Sequence, residues 1–226
     1  MAGGGLLTRV MRNVRAGKVA CGFVTGILLT WFLVGCGDSI PELSPLQAEA
    51  VVLAFGDSLT SGTGAGRAES YPAQLAQLID RQVVNAGRPG ELSAQGLRRL
   101  PALLDEYRPD LVILCHGGND MLQRQDLSTT RANLEAMVEL VLAAGAQVLL
   151  IAVPQPRLLV RPEPLYASLG KRFTVPVLHD SLSDILTDSD LKADPVHPNG
   201  AGYTVLAREL ARLMIRAGAI GARGPS

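Results

Sequence analysis

The chain has 226 residues, enough for one domain with a sizeable hydrophobic core. Its 21 basic and 21 acidic residues leave no net charge, so the composition does not favour a nucleic acid or an acidic partner. Aromatic residues make up only 4% of the chain, which offers no platform on which bases would stack.

The first 36 residues are predicted to be an export signal rather than part of the fold. Basic residues precede an uncharged apolar run over residues 19–35, which is the layout of such signals. The run ends in LVGC, which resembles a bacterial lipobox, and this implies cleavage before Cys36 and lipidation of its sulfur. An uncleaved signal anchor is the alternative, because about 17 apolar residues reach the lower limit of the length that spans a bilayer. Either way the sequence predicts a domain tethered to a membrane of the cell envelope, on the periplasmic side.

The remaining boundaries follow from composition. Residues 37–48 contain prolines and little periodicity and are predicted to be a linker, followed by a folded domain over 49–218 and a tail over 219–226. Of the three cysteines, only Cys115 lies within the predicted domain, where it is interpreted as a small buried apolar residue. No disulfide is therefore expected there.

Short β-rich runs alternate with helical patterns along the predicted domain. The runs are continuously apolar, as expected for strands buried on both faces. They cover residues 50–55, 83–84, 111–115, 148–153 and, more weakly because of Pro176, 173–178. The alternation predicts a three-layer α/β/α sandwich around a mostly parallel, flavodoxin-like, five-stranded sheet.

Amphipathic stretches between the runs predict the helices. Apolar residues at helical spacing indicate a helix that Ser128 caps and that ends at Gly145. A second helix covers residues 97–107, and Pro101 is expected to kink or restart it. A last helix ends near Gly218. Because sites in such sheets lie beyond the carboxyl ends of the strands, the loops there are where chemistry is expected.

The stretch FGDSLTSGTGAG at residues 55–66 has two interpretations. Its glycine-rich end suggests a loop around a phosphate, whereas its beginning suggests a turn that presents Ser58 as a nucleophile. A dinucleotide-binding site is not supported. Its fingerprint, G-x-G-x-x-G, has a different last spacing from Gly62, Gly64 and Gly66, and it needs an acidic residue near the next strand end, where this chain has Asn85. A flavodoxin-like phosphate site around Ser58 stays open at this point.

A serine nucleophile needs a base, and the chain has three histidines. His197 follows Asp194 by three residues in DPVHP, a spacing that lets the carboxylate fix the imidazole tautomer. His116 and His179 are interpreted as bystanders. A metal site is not supported, because no second histidine lies at ligand spacing.

A developing oxyanion needs hydrogen-bond donors, and loops after predicted strands supply candidates. Asn119, in the turn Gly-Gly-Asn-Asp, offers a neutral side-chain amide, although such a turn is also ordinary turn chemistry. Gly90 lies in the loop 85–93, where a missing side chain lets a backbone N–H approach a ligand.

These blocks in this order resemble those of the SGNH hydrolases, also called GDSL esterases or lipases. The blocks are GDSL at 56–59, Gly90, Gly118-Asn119-Asp120, and DPVHP at 194–198; the resemblance spans about residues 49–217. The stretch QGLRRLPALL at 95–104 is similar to the arylesterase, thioesterase and lysophospholipase subgroup.

The resemblance implies a role for each matching residue. Ser58 would be the nucleophile, His197 the general base and acid, and Asp194 its orienting partner. The oxyanion hole would comprise the backbone N–H groups of Ser58 and Gly90 and the amide of Asn119. No metal or organic cofactor is implied; the implied partners are small-molecule or lipid esters, the membrane through the lipid anchor, and no nucleic acid.

Two features leave the substrate open. Arg88 precedes the oxyanion glycine, and it is hypothesised to favour anionic or polar leaving groups. Residues 154–172 are interpreted as a short proline-rich insert near the acyl group. An O-acetyl carbohydrate esterase on the same fold is the runner-up, followed by a flavodoxin-like protein or a non-catalytic binding protein.

Overall fold

One parallel sheet organises the protein. The structure, a computed structural model, describes residues 40–155 and 161–221. The predicted signal with Cys36, and residues 37–39 of the predicted linker, lie outside them. The strands are β1 (Val51–Gly56), β2 (Gln82–Gly87), β3 (Leu111–Cys115), β4 (Gln147–Ile151) and β5 (Val177–Leu178).

The sheet has the order β2-β1-β3-β4-β5, with every neighbouring pair parallel. The helices are α1 (Ser58–Ser61), α2 (Tyr71–Ile79), α3 (Ser93–Tyr107), α4 (Gly118–Leu122), α5 (Leu127–Ala143), α6 (Pro164–Phe173), α7 (Ser181–Thr187) and α8 (Gly200–Arg216). Helix α8 packs against α2 and α7, and α5 packs against α3 and α6. This arrangement confirms the predicted α/β sandwich. The chain changes direction across the sheet between β1 and β3, which is where such folds form sites.

The strands with incomplete burial differ most from their predictions, while β4 ends at Ile151 although it was predicted to reach residue 153. The central strand β3 is buried throughout and has its predicted bounds. Edge strand β2 is longer than predicted, because its half-exposed polar residues interrupt the apolar run used to find it. Most of the predicted strand over 173–178 belongs instead to the end of α6 and a turn, which leaves two residues in β5.

Two helices correct details of the sequence analysis. Helix α3 continues through Pro101 without a break. Helix α5 is capped by Asp126 rather than Ser128, because the Asp126 carboxylate accepts the Ser128 N–H at 2.9 Å.

The segment before β1 lies on the fold from its first leucines onward. Leu43 and Leu46 are buried, and their N–H groups donate to the carbonyls of Ala217 and Ala219 at 2.7 and 2.8 Å. The side chain of Gln147, at the start of β4, exchanges two hydrogen bonds with the Ser44 backbone. Packing at the amino edge of the sheet therefore begins several residues before residue 49 and includes Ala219, one residue after the predicted end at 218. Within residues 40–155 and 161–221, no helix has the length and apolar character that crossing a membrane requires.

Candidate active site

Ser58 is presented at the carboxyl end of β1 by a tight turn. The strand ends at Gly56, where a Cβ would lie 2.1 Å from the Cys115 carbonyl oxygen, so only glycine lets β1 and β3 pack this closely. The next residue, Asp57, is buried and accepts the Leu59 N–H at 3.1 Å, which caps the short helix α1. Ser58 begins that helix, with its hydroxyl facing a cavity.

The loop before α8 brings a base to this hydroxyl. The Nε2 atom of His197 lies 3.0 Å from Ser58 Oγ, and its Nδ1 atom lies 2.8 Å from Asp194 Oδ2. Because a carboxylate only accepts, Nδ1 carries the proton and Nε2 is free to accept from the serine. Ser58, His197 and Asp194 therefore form one continuous hydrogen-bonded chain.

The carboxylate of Asp194 is itself held in place. Its Oδ1 atom accepts the backbone N–H groups of Val196 and His197 at 2.8 and 2.9 Å. Partial burial acts to raise the pKa of Asp194, but the bonds from His197 and Val196 outweigh it, so the pKa lies below the usual value. Asp194 is thus ionised at neutral pH and orients the imidazole.

Gly90 lines the same cavity. It adopts the left-handed region with φ +79°, and a Cβ there would meet no atom within 4 Å. Its N–H donates to no other residue in the described part of the chain. The loop begins at Arg88, because β2 runs through residues that were predicted to be loop.

Asn119 reaches the cavity from the other side, at the start of α4. Its Nδ2 atom lies 3.1 Å from the Glu91 carbonyl oxygen and 3.2 Å from Asp57 Oδ2. Both amide hydrogens therefore have protein acceptors in the unliganded site. Burial raises the pKa of Asp57, opposed chiefly by the nearby His116 and by the Leu59 N–H.

The cavity beside Ser58 measures about 530 Å³, within the range typical of small-molecule sites. Ser58, His197, Gly90 and Asn119 all line it. Its other walls are largely apolar, although Asp57, Thr63 and Gln155 also line it; the apolar side chains include Leu59, Leu122, Val153, Pro154, Leu186, Pro195 and Val196. The polar groups are thus collected at one place on an apolar surface.

The two features that left the substrate open occupy different positions. Arg88 is exposed and does not line the catalytic cavity; it borders a neighbouring polar depression with Gln95 and Arg98. Pro154 and Gln155 do line the cavity, but most of the expected insert is helix α6, and residues 156–160 lie outside the described residues. The leaving-group hypothesis for Arg88 stays a prediction.

Sequence reasoning missed a buried charged cluster behind the oxyanion loop. Glu91 contacts Arg99 and His116, although His116 had been interpreted as a bystander. The three residues come from a loop, a helix and a strand end, so no sequence spacing links them. His179 lies in a separate exposed region. Within the described residues, no cluster of side chains is suited to a metal ion.

Comparison with known proteins gives consistent matches. The GDSL-like Lipase/Acylhydrolase family matches residues 54–205. The Thioesterase 1/protease 1/lysophospholipase L1 of Escherichia coli strain K12 is 32% identical over 173 residues, which cover 73% of this chain and 83% of that protein. The arylesterase of Vibrio mimicus is 28% identical over 181 residues, covering 75% and 90% respectively.

A solved structure matches as well. The psychrotrophic esterase EstA from Pseudoalteromonas sp., inhibited by monoethylphosphonate, superposes with a TM-score of 0.66 at 26% identity. The match covers 74% of this chain and 97% of that one.

Proposed function

The chain belongs to the GDSL-like Lipase/Acylhydrolase family and is a carboxylic ester hydrolase, and we propose that Ser58, His197 and Asp194 are its catalytic residues. The observation that carries this assignment is the hydrogen-bonded chain from Ser58 Oγ through His197 to Asp194, at 3.0 and 2.8 Å. Ser58 and His197 line a cavity that the candidate oxyanion donors Gly90 and Asn119 also line.

The first half of the reaction forms an acyl-enzyme. Ser58 Oγ attacks the carbonyl carbon of an ester or thioester while His197 Nε2 takes the hydroxyl proton. The resulting tetrahedral intermediate collapses as Nε2–H protonates the leaving alcohol or thiol. Asp194 stabilises the imidazolium between these steps and keeps Nδ1 protonated.

The second half reverses these roles with water. His197 Nε2 takes a proton from a water molecule, which attacks the acyl carbon and forms a second tetrahedral intermediate. Nε2–H then returns the proton to Ser58 Oγ, and the carboxylic acid leaves. The same base therefore serves both steps, and the reaction needs no further proton donor.

The oxyanion of each intermediate is stabilised by the N–H groups of Ser58 and Gly90 and by the Asn119 amide. The Gly90 N–H has no acceptor among the described residues, so it is available to the oxyanion. Asn119 is not, because both of its amide hydrogens already have protein acceptors. We propose that the longer bond, to Asp57, is exchanged for the oxyanion when substrate binds.

The substrate is proposed to carry an acyl or aryl group that fills the apolar part of the cavity. A wall of aliphatic side chains and prolines binds hydrocarbon well and offers few partners for sugar hydroxyls. This favours an aryl, fatty-acyl or thioester substrate over an acetylated carbohydrate, which shares the chemistry but needs a polar pocket.

The experiment uses full-length protein in detergent with p-nitrophenyl esters from acetate to palmitate. Ser58→Ala should lower kcat on the order of 10⁴-fold or more. Ser61→Ala, in the same short helix, is the matched control and should keep wild-type activity. Near wild-type turnover in Ser58→Ala would refute the mechanism. Activity confined to acetate, extending to acetylated sugars, would favour the carbohydrate esterase instead.

Location is a separate proposal, which the export signal and the lipobox-like LVGC support. The chain is proposed to be a lipoprotein of the cell envelope, held through lipid on Cys36 with the enzyme domain facing the periplasm. Replacing Cys36 by serine should remove incorporated palmitate and release the protein from the membrane fraction. Retention of label by Cys36→Ser would contradict the proposal.

A further inference from the structure

A buried ionic cluster lies behind the candidate oxyanion hole. It consists of Glu91, Arg99 and His116 and is called the Glu91 network below. The Arg99 guanidinium donates to both Glu91 carboxylate oxygens, at 2.8 and 2.6 Å, and His116 Nε2 lies 3.2 Å from Oε2. Exposed Arg88 adds a weaker contact of 3.7 Å. None of the three core members touches the catalytic space, since Arg99, Glu91 and His116 are absent from the cavity lining.

Each member of the network is joined to one of the loops that supply an oxyanion donor. Arg99 donates to the carbonyls of Ala86 and Gly56, at 3.0 and 3.5 Å, where β2 and β1 end. Its guanidinium also stacks on the Phe55 ring at 4.4 Å. The position of Arg99 is therefore fixed by the two strands that lead into Gly90 and Ser58.

His116 connects the network to the loop that carries Asn119. It directly follows β3, and its Nδ1 atom accepts the Gly117 N–H at 3.0 Å. Nε2 must then carry the proton, which makes it the donor to Glu91. Gly96 on α3 leaves room for the ring, because a Cβ there would lie 2.5 Å from His116 Nε2.

The Gly90 loop is anchored at its end, where Gln95 Oε1 accepts the Leu92 N–H at 2.9 Å and Asp120 accepts the Ser93 N–H at 2.8 Å, but it has fewer contacts near Gly90. A Cβ at Gly90 would meet no atom within 4 Å, so no side chain packs against that side of the residue. The loop backbone is held by Arg88 N–H to Gly56 O at 3.0 Å and by Glu91 N–H to Arg88 O at 3.2 Å. The Glu91 carbonyl in turn accepts from Asn119. Glu91 is thus bonded covalently to one donor residue and through a hydrogen bond to another.

We propose that the Glu91 network is the device that positions the oxyanion hole, with Glu91, Arg99 and His116 as positioning residues. This rests on the proposed function, because it assigns a task to the same site. A buried charge is costly and is seldom the most stable way to fill a core. Here the network fixes the orientation of the loops that carry the donors. Its rigid, charge-assisted hydrogen bonds join the ends of β1, β2 and β3. Donors that are fixed before the reaction stabilise the oxyanion without reorganising.

The test compares full-length wild-type protein with Glu91→Gln, which keeps the shape and the backbone carbonyl but removes the charge. Glu135→Gln is the matched control, because Glu135 also pairs with an arginine, Arg172 at 3.1 Å, but between α5 and α6. Active sites are counted by titration with a p-nitrophenyl alkylphosphonate. The values of kcat and KM per titrated site are measured with one p-nitrophenyl ester, and the Ki of a trifluoromethyl ketone is measured as a tetrahedral mimic.

The network should affect the transition state and not substrate binding. Glu91→Gln should lower kcat about 10- to 100-fold. The loss should be smaller than the roughly 10²–10³-fold loss of kcat on removing one oxyanion donor, because the donors are misplaced rather than absent. Its KM should change by less than about twofold, and the Ki of the ketone should rise in proportion to the loss of kcat/KM. Glu135→Gln should match wild type. A purely structural role would lower the number of titrated sites or the Tm and leave kcat per site unchanged.

Unchanged kcat per titrated site in folded Glu91→Gln would overturn the proposal. If that variant does not fold, the same measurements on His116→Leu and His116→Gln decide. Leucine removes the donor to Glu91 and glutamine restores one, so recovery in His116→Gln supports the proposal, and wild-type kcat in both overturns it. Failure of wild-type protein to be labelled at Ser58 would refute the proposed function instead, which keeps the two failures separate.

Discussion

The two halves of the site are built in opposite ways. The half proposed to move protons lies on one surface loop, where the side chains of Asp194 and His197 are 45% and 18% exposed. The half proposed to stabilise the oxyanion rests on side chains from three elements, which are 1% exposed at Glu91, 0% at His116 and 17% at Arg99. The loop side chains are partly exposed, whereas Glu91 and His116 are buried. Substitutions in the first half should change chemistry alone, and those in the second should change chemistry and stability together.

The largest effect is expected in the exposed half. Asp194→Asn should lower kcat on the order of 10³–10⁴-fold, because a neutral amide no longer holds the imidazole in the required tautomer or stabilises its charge. The Tm should stay close to wild type, since the side chain is half exposed. Asp188→Asn is the control, because Asp188 also accepts a backbone N–H two residues later, at 2.8 Å, but contacts no histidine. A large loss of Tm in Asp194→Asn would break the contrast.

A smaller effect is expected where the halves meet. Asn119→Ala should lower kcat about 10²–10³-fold by removing one oxyanion donor, with KM little changed. It also removes the hydrogen bonds to Asp57 and Glu91, so the Tm should fall as well. Asn133→Ala serves as control, because that amide donates to Ser93 at 2.9 Å outside the cavity. A raised KM with unchanged kcat would instead assign Asn119 to substrate binding.

The smallest effect is a pH dependence of stability in the buried half. Burial opposes ionisation of Glu91, but bonds from His116 and Arg99 outweigh it and lower the pKa from its usual 4.5 to about 2. The ionised form therefore stabilises the fold above about pH 4.5, and this contribution is lost as the pH falls toward about 2. In urea unfolding, the stability gap between wild type and Glu91→Gln should narrow across that window. A gap independent of pH would show that the charge does not stabilise the fold.

Much of the fold could be predicted from the sequence, because the central strands are continuous apolar runs. Strand β3 is buried on both faces and was found with its observed bounds. Strand β2 was found only in part, because an edge strand that mixes Gln82 and Asn85 with valines resembles a loop. Pro101 was expected to disturb α3, yet the helix continues, since tertiary packing of its leucines outweighs one missing hydrogen bond.

The candidate site divides along the same line. Ser58, Asp194 and His197 lie in short motifs, so the sequence could propose them together, and the structure brings them within hydrogen-bond distance. The Glu91 network could not be proposed, because Arg99 faces Glu91 only once α3 has packed behind the loop. The engagement of both Asn119 hydrogens was likewise invisible, since it depends on how β1 and β3 lie side by side.

The pairing of the segment before β1 with the segment after α8 has a practical consequence. Leu43 and Leu46 hydrogen-bond to Ala217 and Ala219 at the amino edge of the sheet, whereas the cavity opens at the carboxyl edge. The first and last packed residues of the domain therefore lie on the side of the sheet away from the substrate entrance. Because these two segments adjoin, a short peptide that joins residue 219 to residue 43 should permit circular permutation of the domain, with new ends cut in an exposed loop.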